Sequence, residues 1–158
     1  YHQGWSSFRD GERLQLSNIQ EELFHFLQRH LWELEYPDAF ALDTNPRSVA
    51  QRAAEKAVAA KHYVYDQDCV SNSGCLVPEF FFCAMTTVMG GWQGDGFDAP
   101  GQNEWRLKGN HAAIHKYYPE MMEMVRTMQD QGKLPRKWPS FFVSKNRQLT
   151  NGSIDNDE

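Results

Sequence analysis

No stretch of this 158-residue chain approaches the ~20 consecutive apolar residues of a membrane-spanning helix, so a span of that kind is excluded. A basic excess is missing too. Sixteen Lys and Arg stand against 21 Asp and Glu, for a net charge of −5, which disfavours nucleic-acid binding by the domain as a whole. Cysteine is scarce. Cys69, Cys75 and Cys83 leave at least one thiol unpaired in a monomer, and their spacings match neither a CxxC metal knuckle nor a redox pair. That composition points to free thiols in a reducing compartment rather than to a disulfide-stapled scaffold. The chain begins at Tyr1, which leaves room for a removed targeting segment upstream. Asn151-Gly152-Ser153 is a glycosylation sequon, a triplet that carries little weight without secretion. Phosphate loops, dinucleotide fingerprints, G-x-S-x-G elbows and internal repeats are all lacking.

Aromatic residues, by contrast, are plentiful: ten Phe, six Tyr and five Trp. The length suits one domain large enough to bury a core without metals or disulfides. We read an N-terminal arm over 1–16, a single helical domain over 17–143 and a disordered polar, acidic tail over 144–158.

The expected fold is all-α or predominantly α, an irregular bundle of four to five helices with long aromatic loops and terminal arms. A first helix spans about 18–35, capped by Ser17 or Asn18 and stopped by Pro37. Ile19, Leu23, Phe26, Leu27, Leu31 and Leu34 recur along it at three- and four-residue steps and predict its buried stripe. A second helix is expected from Asn45-Pro46 to Val64, with a narrow face of Val49, Ala53, Ala57, Ala60 and Val64. Residues 66–76 read as a polar loop, after which Pro78 opens an apolar central helix through Met89. A buried strand is the rival reading of that aromatic run. Residues 90–103, with five glycines, form a long loop. A helical stretch resumes near Glu104, is interrupted at Gly109-Asn110 and runs to Tyr118. The last helix starts at Pro119, buries Met121, Met124, Val125 and Met128, and stops at Gly132.

Three constellations bear on chemistry. His111 and His115, four apart on a helix, aim two imidazoles at one point, and Glu22 with His25 supplies an E-x-x-H pair that completes a metal set. Cys75 lies near the start of the central helix, whose dipole favours thiolate, with His111 or His115 as a base. The polar loop fails as an EF-hand, because Gly74 at the sixth position places Cys69 first and Phe80 last. Finally, Lys133, Arg136, Lys137, Lys145 and Arg147 interleave with rings over 133–147, a stretch suited to an anionic partner.

The leading expectation is a non-catalytic helical interaction module or accessory subunit that needs no cofactor. Another protein would meet Trp92, Phe97, Trp105, Trp138, Phe141 and Phe142, rings outside the helical stripes. The alternatives are a cysteine-dependent hydrolase or transferase using Cys75 with His111 or His115, and a metal-binding bundle using Glu22, His25, His111 and His115.

Overall fold

A computed structural model describes residues 19–65, 67–91 and 104–138. The arm 1–16, the rings Trp92, Phe97, Phe141 and Phe142, the cations Lys145 and Arg147, and the tail 144–158 lie outside the described residues. The fold is predominantly α, with seven helices and no strand among the described residues. None of these helices is long and apolar enough to cross a membrane. The helices are α1 (19–35), α2 (Pro37–Phe40), α3 (Val49–Ala59), α4 (Gln67–Val70), α5 (Ser73–Val88), α6 (His111–Tyr117) and α7 (Pro119–Asp130). Three of the seven are short, which accounts for the number beyond the four or five expected.

The run of rings in α5 is a helix, not a strand, and it is the centre of the core: Leu76, Val77 and Phe80 to Met85 are all buried. Its polar members are satisfied. Thr86 and Thr87 donate back to the carbonyls of Phe82 (2.8 Å) and Cys83 (3.1 Å), so two buried hydroxyls cost little. Small side chains on α3 (Ala50, Ala53, Ala54, Ala57) are buried and let α5 approach closely. On the other flank Phe24 and Trp32 of α1 meet Phe81, Phe82 and Phe40. Phe24–Trp32 and Phe40–Phe81 are edge-to-face pairs at 5.1 and 5.0 Å. That geometry sets ring edges on ring faces and adds to area burial.

Five boundaries differ from the sequence reading, one of them the stretch from Glu104 to Gly109, which is turn and bend with a single bridge at Trp105 instead of helix. Helix α3 begins at Val49 because Ser48, not Asn45, is the cap: its hydroxyl accepts from the Gln51 N–H at 3.4 Å. The helix ends at Ala59, and the positive φ of Lys61 (55°) turns the chain away before Val64. Helix α5 starts at Ser73, capped by the Asn72 side chain, so Pro78 lies inside the helix. Proline there removes the N–H that would bond the Gly74 carbonyl. The Arg29 guanidinium of α1 donates to that carbonyl instead, at 3.1 Å. The segment read as a polar loop contains α4 and a Cys69–Cys75 disulfide, leaving Cys83 as a buried free thiol. The stop of α7 is as expected. Gly132 takes φ 71°, with Gly132 and Lys133 donating to the carbonyls of Gln129 and Met128, a Schellman ending.

The largest correction concerns α1. All of its predicted core stripe but Leu27, which packs half-buried against the core, faces outward: Ile19, Leu23, Phe26, Leu31 and Leu34 are 61%, 55%, 59%, 47% and 79% exposed. The buried face is Phe24, Gln28 and Trp32, with Gln28–Trp32 in π-helical geometry. Two faces of this helix are apolar, and the one carrying the larger rings won the core.

Candidate metal centre

Residues four apart on a helix share a face, so Glu21, His25 and Arg29 form one row along α1. Cys75 and Glu79 form a corresponding row on α5. The Arg29–Gly74 hydrogen bond fixes one end of these rows side by side, and the aromatic packing of Phe24 on Phe82 secures their neighbours. One helical turn from that bond, Glu21, His25 and Glu79 converge. One ligand atom from each lies within 4.8 Å of the others, the only such group among the described residues.

The centre is half-buried. His25 Nε2 stands 3.9 Å from a Glu79 oxygen, with side-chain exposures of 16% and 21%. That nitrogen is itself buried and has no hydrogen-bond partner, although a buried polar atom ordinarily finds one. The His25 and Phe82 rings pack edge-to-face with centroids 6.0 Å apart, which sets the imidazole against the core. Glu21 and Glu79 are hydrogen-bonded to each other, which requires one of the two carboxyls to carry a proton. Burial, followed by the neighbouring charge of Glu21, pushes Glu79 up to about 8. Burial also raises Glu21, with the hydrogen bond from Glu79 working the other way. Burial raises both carboxyls, so the pair shares a proton across its hydrogen bond. Burial lowers His25, so its imidazole is a neutral ligand near pH 7. Tyr63 also has a buried, unpartnered hydroxyl, which burial above all keeps protonated.

Two carboxylates and a neutral imidazole are the donor set of a borderline divalent ion such as Zn²⁺, Mn²⁺ or Fe²⁺. Metal bonds of about 2.0–2.2 Å put tetrahedral ligand atoms roughly 3.3–3.6 Å apart. The 3.9 Å His25–Glu79 separation thus closes by a few tenths of an ångström, and a spacing at the 4.8 Å bound of the group would close by about an ångström. Three protein ligands leave at least one coordination position for water or a substrate.

The other sequence-nominated residues lie elsewhere. Glu22 is exposed, and the acid that converges with His25 is its neighbour Glu21. His111 and His115 are exposed on α6, where with Val88, Met122 and Arg126 they border a surface hollow of about 360 Å³. They cannot serve Cys75. Val88 lies thirteen residues further along α5, or about 20 Å at 1.5 Å per residue. Nor is Cys75 a nucleophile: it is bonded to Cys69, which removes the thiolate that a cysteine enzyme requires and also corrects the free-thiol reading of the composition. Trp105 is 1% exposed, not a partner-facing ring. Its segment pairs briefly with Tyr63, and its indole N–H donates to Thr87 at 2.8 Å. Trp138 packs half-buried on Phe82 and closes over Gly91, where a Cβ would come within 2.7 Å of the indole. Lys133 and Arg136 pair with Glu35 and Asp130, so part of the basic stretch is neutralised locally.

Compared with known protein families, curated proteins and solved structures, the chain matches none. Function therefore rests on the site itself. Sequence reasoning nominated His25 but missed Glu21 and Glu79. The available signals were the four-residue spacing of Glu21 and His25, and the isolation of Glu79 as the one charged residue of α5.

Proposed function

We propose that this is a divalent-metal-binding helical domain, with Glu21, His25 and Glu79 as the protein ligands. The observation that carries it is the buried, unpartnered His25 Nε2 beside two carboxyls held together in the α1–α5 interface. A charged carboxylate pair at this depth is unfavourable alone, and a cation satisfies both carboxylates and the imidazole. The Cys69–Cys75 disulfide supports an oxidising compartment as the setting. The test is zinc content and zinc titration calorimetry on the purified chain. One ion per chain is expected, lost in His25→Ala and Glu79→Gln and kept in a His111→Ala/His115→Ala double variant. Equal binding by all three variants, or no stoichiometric binding by the wild type, would overturn the reading.

A specific observation also favours an interaction role, relocated from the loops to α1. Its outer row of Ile19, Leu23, Phe26 and Leu34 is uncovered over a helix about 25 Å long. The row is self-complementary. A two-fold axis between Phe26 and Leu27 sets Ile19 of each copy beside Leu34 of the other, and brings Glu22 next to the other copy's His30. The occupant we propose is therefore a second copy of this chain. Light scattering across a concentration series should give the mass of a dimer, and Phe26→Glu should yield the monomer. A wild-type monomer at high micromolar concentration rules this out.

A further inference from the structure

We infer that the Cys69–Cys75 disulfide governs the metal centre, so that zinc affinity depends on the redox state of the chain. This inference rests on the metal-binding reading above and adds its regulation. The disulfide closes the turn between α4 and α5, and its second sulfur belongs to the first turn of α5. Glu79 is four residues beyond Cys75, on the same side of the helix. Between them stands Pro78, which leaves the Gly74 carbonyl without its helical donor. Arg29 supplies that donor from α1 and is braced by Glu33 at 3.8 Å. His25 lies one turn before Arg29. One continuous path thus runs from the disulfide through Gly74 and Arg29 to His25, and a second through the α5 backbone to Glu79.

The first turn of α5 is the weak part of this arrangement. It contains a glycine and lacks one helical hydrogen bond, so its position depends on the Asn72 cap, the Ser73 hydroxyl donating to Asp43, the arginine and the disulfide. Reduction takes up two electrons and two protons, breaks the S–S bond and leaves two thiols, while a dithiol reductant closes to its own cyclic disulfide. The turn then samples more conformations. Gly74 is no longer held against Arg29, and Glu79 loses its alignment with Glu21 and His25. A metal site tolerates little such displacement, because its ligands must stay within a few tenths of an ångström of their bonding positions.

The experiment compares zinc affinity in the oxidised wild type, in Cys69→Ser/Cys75→Ser and in Arg29→Met. The serine variant replaces chemical reduction because free thiols would take up zinc themselves. At least a tenfold weaker Kd is expected in the serine variant and a loss in the same direction in Arg29→Met, with Cys83→Ser unchanged. Affinity within twofold of wild type in the serine variant overturns the coupling. Should that variant fail to fold, the wild type reduced and alkylated with iodoacetamide at Cys69 and Cys75 decides the matter, since blocked thiols take up no zinc: affinity within twofold of the oxidised chain overturns the coupling. Absence of binding by the oxidised wild type would instead remove the metal reading itself.

Discussion

Zinc at a hundred times its Kd should raise the unfolding temperature of this chain by about 5–10 °C, and excess EDTA should reverse the rise. A ligand that binds only the folded state stabilises by about 2.7 kcal/mol at that concentration. For a domain of this size, 1 kcal/mol shifts the midpoint by about 2–4 °C. The premise that the unfolded chain does not compete follows from the ligand positions. His25 and Glu79 are about fifty residues apart and meet only when α1 packs on α5. His25→Ala and Glu79→Gln should abolish the rise. Calcium should produce little of it, since that ion seeks six to eight oxygen ligands and the imidazole offers none. A zinc-induced shift of equal size in both variants would assign the effect to other surface groups and remove the centre from consideration.

How much of this was legible in the sequence depends on how local each determinant is. The α7 helix, the small residues Ala53 and Ala57 of α3 and the Gly132 stop are written in spacing and in residues that act on their own backbone, whereas α5 was legible as a buried apolar element with helix and strand both open. Helix α1 was legible as a helix but not as an oriented one. Leucine periodicity marks one face, whereas the winning face carries Phe24 and Trp32, whose advantage exists only because Phe81 and Phe82 await them on α5. Pro78 shows the same limit. Its local meaning is a helix start, and an arginine forty-nine positions earlier makes it tolerable inside the helix, a partnership across |i−j| = 45 to Gly74.

The candidate centre was legible by one third. His25 stood out beside an acid, but the choice between Glu21 and Glu22 required the angular position of α1, and Glu79 required knowing which helix faces it. Cys75 was nominated from helix-start chemistry. With three cysteines the pairing is not deducible from spacing alone, and pairing with Cys69 reverses the assigned role. Trp105 was misplaced for a related reason. It follows a glycine-rich stretch, and only the bridge to Tyr63 directs its ring inward.

In EDTA, Glu79→Gln should make the chain more stable than wild type at pH 8.5 and abolish much of the fall in stability that wild type shows between pH 5 and 8.5. Glu79 is raised from an ordinary value of 4.5 to about 8 by burial and by the charges and hydrogen bond of its neighbours. The folded state therefore binds more protons than the unfolded state between those values, and stability decreases with rising pH across them. The contribution of Glu79 is fully present below 4.5 and is lost as pH rises through about 8. Because the proton is shared with Glu21, the effect expected from Glu79 is on the order of 2 kcal/mol, well short of independent titration. Glutamine is always neutral and its amide still donates to Glu21, so the variant keeps the low-pH arrangement at every pH. His25 acts in the opposite direction. Burial lowers it, so its contribution is present above 6.5 and is lost as pH falls, and the variant should retain that acid-side decline. Urea unfolding at five pH values gives both slopes. Parallel profiles for wild type and variant would show that Glu79 is not the buried acid of this interface. The expected crossing would show that the position costs stability near neutrality, where a bound cation makes up the loss.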